Sequence, residues 1–145
     1  MTPLDLSRSK NHQEITSLLE NELKRAVKIH HSCYEGNLDM VKHLINKGFS
    51  VHSRYLYETF NSFKMTLGST PLHFAVLGNN ISIVEFLIKQ KADTNKQNDF
   101  VSSVFFLMTP LHHASFYGFS YIVEYLVENN ADLNSKNGDS FHFYV

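Results

Sequence analysis

The sequence of this protein has little cysteine and almost no net charge. Its single cysteine, Cys33, excludes an intramolecular disulfide framework, so an oxidising compartment is not implied. Thirteen basic side chains against fourteen acidic ones give a formal net charge of -1. That balance is a poor basis for binding nucleic acid, which requires many contacts from Lys and Arg to phosphate. We therefore expect no nucleic-acid partner.

The sequence also lacks any long apolar segment. Its longest uninterrupted apolar run extends from Val104 to Met108, whereas a helix needs about 20 such residues to span a bilayer. The N-terminus has neither the basic start nor the apolar stretch of a signal peptide. We expect no membrane insertion, an intracellular, cytoplasmic protein, and a single domain over residues 1–145.

The local motifs of known catalytic sites are missing as well. Nothing matches a P-loop, a dinucleotide-binding glycine motif, a nucleophile elbow or a His-Glu-x-x-His zinc motif. Cys33 follows His30 by three residues, but no second cysteine is available for a metal site. We expect a packed thiol at Cys33, and we predict no catalytic residue, no metal and no cofactor.

What the sequence does contain is an internal repeat. Three words recur at a constant offset of 39 residues. They are Thr-Pro-Leu-His-x-Ala at 70–75 and 109–114, Ile-Val at 83–84 and 122–123, and Ala-Asp-x-Asn at 92–95 and 131–134. Three matched words at one offset indicate a structural repeat rather than an accident of composition.

These words resemble the ankyrin repeat, whose signature is Thr-Pro-Leu-His-x-Ala on a period near 33 residues. Including weaker copies, the repeats are predicted at 2–24 (degenerate), 27–52, 70–95 and 109–134, with a partial repeat over 139–145. The resemblance implies an all-α solenoid of stacked helix pairs with elongated, β-hairpin-like finger loops. It also implies a non-catalytic module that binds a protein partner.

The repeated word also reads as the start of a short helix. Thr70 and Thr109 precede proline, which disfavours helical backbone before it, so each threonine can cap the following helix. Proline fits the first helical position because its missing N–H costs nothing there. The pattern predicts three helix pairs: Pro71–Leu77 with Ile81–Lys89, Pro110–Tyr117 with Ser120–Glu128, and Lys28–Tyr34 with Leu38–Asn46.

The spacing of the repeats departs from the family period. Two steps, of 43 and 39 residues, carry roughly ten and six extra residues, and these are expected in fingers within 53–69 and 96–108. The first step is only 25 residues, which leaves no room for a finger. Either a compact kink joins two ordinary helices there, or one long helix replaces them. The strong helix formers over residues 14–29, without glycine or proline, favour the long helix.

Three histidines occupy the histidine position of the motif. The resemblance implies a structural role for His30, His73 and His112, whose imidazoles would tie a helix start to the adjacent finger. Their neighbours His31 and His113 point to a different helix face and are expected to be more exposed.

The resemblance places partner binding at the fingers and at the ends of the inner helices. The apolar or aromatic residues at these places are Tyr34, Tyr55, Tyr57, Leu77, Val104, Phe105, Phe116 and Tyr117. Exposed together on the concave face, they would anchor a protein partner. The alternative for the fingers is that they fold back and bury their own aromatic residues.

Two further hypotheses concern assembly and context. An exposed apolar finger or a terminal repeat could join copies of the chain into a homo-oligomer. The alternative function is that of a regulatory ankyrin region in a larger enzyme or channel whose active part lies outside this chain.

Overall fold

The computed structural model describes residues 3–56, 67–99 and 107–136, and within these ranges the chain forms six helices and no strand. The helices are α1 (Pro3–Glu35), α2 (Leu38–Asn46), α3 (Pro71–Leu77), α4 (Ile81–Lys89), α5 (Pro110–Tyr117) and α6 (Ser120–Glu128). The all-α prediction is confirmed. Helices α2 to α6 begin and end at the predicted residues.

Helix α1 is one uninterrupted helix of 33 residues, which confirms the long-helix interpretation of the short first step. At a rise of 1.5 Å per residue it is about 50 Å long. Its C-terminal part packs into the core, where Ile29 and Cys33 are fully buried, whereas every side chain from residue 9 to residue 21 is exposed. The inner helix predicted at Lys28–Tyr34 is therefore the last part of α1 rather than a separate helix.

The helices stack in two rows. The end of α1 packs on α3, and α3 packs on α5, which makes an inner row, while α2, α4 and α6 make an outer row. The core runs between the rows, where Leu72, Phe74, Ile83, Leu87 and Ile122 are almost fully buried. Because each helix pair buries its faces on its neighbours, the core is continuous along the stack.

The turn between the two helices of each pair needs a residue in the left-handed region. Gly36, Asn79 and Gly118 occupy this place, with φ of 79°, 54° and 71°. Glycine and asparagine adopt this conformation more readily than other residues. The turn residue therefore ends each inner helix and sends the chain back along the outer row.

Backbone hydrogen bonds close the base of each finger. The Tyr55 N–H donates to the Ser69 carbonyl at 2.8 Å, and the Asn98 N–H donates to the Met108 carbonyl at 2.9 Å. The Met108 N–H in turn donates to Oδ1 of Asn98 at 2.7 Å. Each insertion is thus joined at its base like a hairpin.

The outer parts of both insertions, 57–66 and 100–106, lie outside the described residues. So do the predicted partner-binding residues Tyr57, Val104 and Phe105, and the partial repeat predicted at 139–145.

Candidate functional site

A buried histidine ties α3 to the base of the second finger. The Thr70 N–H donates to Nδ1 of His73 at 3.1 Å, so the ring proton is on Nε2, which donates to the Met108 carbonyl at 2.9 Å. Burial lowers the pKa of His73 to about 4, although the bond to Met108 acts in the opposite direction. At neutral pH the ring is therefore uncharged, and the main chain occupies both of its nitrogens.

The same arrangement recurs at His112, and one of its two contacts recurs at His30. The Thr109 N–H donates to Nδ1 of His112 at 3.0 Å, and Nε2 of His112 donates to the Ser135 carbonyl at 3.0 Å. Nε2 of His30 lies 3.0 Å from the Ser53 carbonyl. Each motif histidine thus holds the segment that follows its own helix pair, a structural contact that leaves no ring nitrogen of His73 or His112 to act on a substrate.

Alanine at His73 or at His112 is expected to lower the free energy of unfolding by about 1–3 kcal/mol, because each change removes the ring from a buried threonine N–H and from the carbonyl of Met108 or Ser135. The measurement is urea unfolding followed by circular dichroism. His43, an exposed histidine on α2, provides the control, and its alanine variant should remain within about 0.5 kcal/mol of wild type. Wild-type stability of both motif variants would contradict the structural role.

His113 is fully buried, so its expected exposure is wrong. Its ring lies 5.5 Å from that of His73, and neither of its ring nitrogens has a hydrogen-bond partner among the described residues. The residue at the same place in the preceding repeat, Phe74, is also fully buried, because an inner helix packs on neighbours on more than one side. Burial, followed by repulsion from His73 and His112 in their protonated forms, holds the pKa of His113 well below its usual value. His31 is partly buried.

Replacing His113 with phenylalanine is expected to raise the free energy of unfolding at pH 7 by about 1 kcal/mol. A buried imidazole without partners costs about 1–3 kcal/mol, and fitting a larger ring offsets part of the gain. The matched control is Phe74→His at the equivalent position, which should destabilise the protein. A His113→Phe variant less stable than wild type in urea would show that the imidazole has a favourable contact.

An aromatic cluster lies at the C-terminal end of α5. The rings of Phe116 and Tyr117 are 5.0 Å apart and nearly perpendicular, and the rings of Tyr117 and Phe119 are stacked at 5.7 Å. Phe116 is 50% exposed, and the other two are partly exposed. Burial raises the pKa of Tyr117, and Tyr34 at the end of α1 adds to this effect. Tyr34, Phe116, Tyr117 and Phe119 are called the aromatic patch below.

Close packing of α1 against α3 brings Tyr34, on α1, toward the other residues of the aromatic patch. Gly78 occupies the place that Tyr117 occupies one repeat later. A Cβ atom at Gly78 would lie 2.9 Å from the carbonyl carbon of Tyr34 and nearer still to its oxygen. The side-chain amide of Asn80 donates to the carbonyls of Cys33 and Tyr34 at 2.8 and 2.7 Å. The end of α1 is thus held directly on the turn that follows α3.

A family model described as ankyrin repeats in three copies matches residues 7–99 and also residues 29–137. The chain belongs to the ankyrin repeat family. Ankyrin repeats are generally protein–protein interaction modules and are typically non-catalytic. No curated protein matches the chain significantly.

Two residues of this ankyrin chain that were predicted to face a partner are buried. Tyr55 is 5% exposed and Leu77 is 7% exposed, so the expected exposure is wrong for both. The Tyr55 ring packs on Phe74 at 4.9 Å, because the base of the first finger folds onto the inner row. Leu77 is buried because α3 lies between α1 and α5, and every residue of α3 is buried.

The structure keeps the other described candidates at the surface. Tyr34 and Tyr117 are partly exposed and Phe116 is half exposed. Phe119 joins them, although sequence reasoning missed it. A signal for it was present, because the two preceding repeats of this ankyrin stack have Asn37 and Asn80 at that place. An aromatic residue at a place where two other repeats have a capping residue indicates a role other than capping.

The described residues offer little for other kinds of chemistry. They contain no group of three or more His, Cys, Asp or Glu side chains that could hold a metal ion. Cys33 is buried, and burial raises the pKa of its thiol, which disfavours the nucleophilic thiolate. In the part of the chain that the structure describes, no helix is both long enough and apolar enough to cross a membrane.

Proposed function

We propose that this ankyrin chain binds a protein partner through the ends of its inner helices, with the aromatic patch as the anchor. The observation that carries the proposal is the contact cluster of Phe116, Tyr117 and Phe119, which remains partly exposed on a firmly packed scaffold. Tyr and Phe are enriched at protein interfaces. An anchor on a rigid element loses little conformational entropy when a partner binds.

The area of the patch indicates how much more the partner must contact. Aromatic side chains bury about 150–250 Å² each, so four partly exposed ones offer on the order of 300 Å². One side of a standard interface is about 800 Å². We infer that the partner also contacts the fingers, where Tyr57, Val104 and Phe105 are the proposed contacts.

The double variant Phe116→Ala/Tyr117→Ala is expected to weaken partner binding by about thirtyfold or more, since truncating an aromatic anchor typically costs 2 kcal/mol or more. The measurement is recovery of partners from the native lysate on the immobilised chain. Tyr121→Ala is the matched control, because Tyr121 is an aromatic residue on α6 that is 63% exposed. Equal recovery by wild type and the double variant would move the binding surface elsewhere.

A photo-crosslinking amino acid provides a second experiment on the same binding surface. Placed at position 116 it should capture the same partner that the pull-down recovers, whereas at position 121 it should not. Shortening the second finger to the family length should also reduce recovery while the chain remains folded. A shortened chain that unfolds would show that this finger belongs to the core.

A further inference from the structure

The repeat over 109–134 lacks a hydrogen-bond donor that the repeat over 70–95 has. In the repeat over 70–95 the amide of Asn80 donates to the carbonyls of Cys33 and Tyr34, near the end of the neighbouring inner helix. Phe119 occupies the equivalent place one repeat later and has no side-chain N–H to donate. Its equivalent acceptors are the carbonyls of Val76 and Leu77.

Among the described residues, a donor is found for one of these two acceptors and not for the other. The Val76 carbonyl accepts from the Asn79 N–H at 2.9 Å. No described residue donates to the Leu77 carbonyl. A carbonyl in the last turn of a helix has no donor within that helix and needs one from outside it. Phe119 stands at the sequence position of the donor Asn80 and leaves the Leu77 carbonyl without that donor.

The electrostatics of this surface favour a cation. The inner helices α1, α3 and α5 all end here, and none has a basic residue in its last turn. Helix C-termini carry partial negative charge, and Glu35 at the end of α1 is exposed. The faces of Phe and Tyr rings are also negative, so they attract ammonium and guanidinium groups.

We propose that the aromatic patch takes an arginine side chain of the protein partner. The guanidinium group stacks on the rings of Tyr117 and Phe119 and donates an N–H to the Leu77 carbonyl, in place of the amide that Asn80 supplies one repeat earlier. A guanidinium suits this better than an ammonium because it is planar and presents several donors in a fixed fork. The inference rests on the proposed function, which it deepens by naming the partner's chemistry.

The test is a titration of the isotopically labelled full chain with the peptide acetyl-Ala-Arg-Ala-amide, followed by NMR. We expect saturable shifts at the amides of Leu77, Tyr117 and Phe119. The same peptide with citrulline in place of arginine keeps the planar shape but has no charge, and it should bind roughly tenfold more weakly. No saturable shift at these amides, or equal binding of the two peptides, would overturn the proposal.

Two variants at one position separate binding from folding. Phe119→Asn restores the residue found in the preceding repeats, so it should raise the melting temperature. It should also lower the affinity for the arginine peptide roughly tenfold. Phe119→Tyr keeps the ring and should bind the peptide like wild type. An unchanged affinity in Phe119→Asn would contradict a role for the ring.

The outcomes also distinguish this inference from the proposed function. If a partner crosslinks to position 116 but the arginine peptide does not bind, partner binding stands and the arginine site is wrong. If the peptide binds but no protein is captured at position 116, the arginine site stands and the proposed function fails.

Discussion

Replacing Gly78 with alanine is expected to destabilise the protein by about 3 kcal/mol, the upper part of the usual range for overpacking. A Cβ atom there would overlap the Tyr34 carbonyl, and a backbone group cannot move aside as a flexible side chain can. The ends of α1 and α3 would have to separate. Separation would also break the hydrogen bonds that the Asn80 amide makes to Cys33 and Tyr34.

Gly118→Ala is the matched control, because it separates close packing from backbone strain. Gly118 has φ of 71° and nothing within 4 Å of a Cβ added to it, so alanine there pays only the left-handed cost of about 1–2 kcal/mol. Gly78 is the C-cap of α3 with φ of -81°, which alanine adopts without strain. Urea unfolding compares the two variants. A smaller loss of unfolding free energy in Gly78→Ala than in Gly118→Ala would contradict the close contact of α1 with α3.

Lowering the pH from 7 to 4 is expected to reduce the free energy of unfolding by about 3 kcal/mol through His73 alone. Its pKa is lowered to about 4 in the folded chain from an ordinary value of 6.5. Between these values the unfolded chain binds the proton and the folded chain does not. The part of the unfolding free energy that depends on a neutral His73 ring is therefore fully present above pH 6.5 and is lost as the pH falls toward 4. The pKa values of His112 and His113 are also lowered, so both histidines act in the same direction.

Urea midpoints measured at intervals between pH 7.5 and 4 check this prediction. His73→Gln cannot titrate there, so its stability should change less with pH than that of wild type, even though it starts lower. His43→Gln, at an exposed position on α2, should keep the wild-type slope. A wild-type midpoint that stays constant down to pH 4 would mean that the motif histidines are not buried in neutral form.

The sequence predicted helices α2 to α6 because their start and stop signals are local. A threonine before proline starts α3 and α5, and a glycine or asparagine in the left-handed region ends each inner helix. The single helix at α1 was also predictable, since nothing between residues 14 and 29 breaks it. These signals lie within a few residues of the feature they specify, so no tertiary information is needed.

Burial in the inner row could not be predicted in the same way. Leu77 and His113 lie on helix faces that would be exposed in one repeat by itself, and they are buried by the neighbouring repeats. The burial of Tyr55 depends on how the first finger folds onto Phe74. Phe119, in contrast, could have been identified from the sequence, because the comparison with Asn37 and Asn80 needs nothing else. Comparing every repeat position, including the turn positions, would have found it.

The most direct test of the central claim is a residue-resolved footprint of the captured partner on the folded chain, measured by hydrogen exchange or NMR shifts. The account predicts protection at the ends of the inner row, over Tyr34, Phe116, Tyr117 and Phe119. It predicts no change on the outer row, where Tyr121 on α6 and Lys42 on α2 are exposed. Protection confined to α2, α4 and α6, with the aromatic patch unchanged, would contradict it.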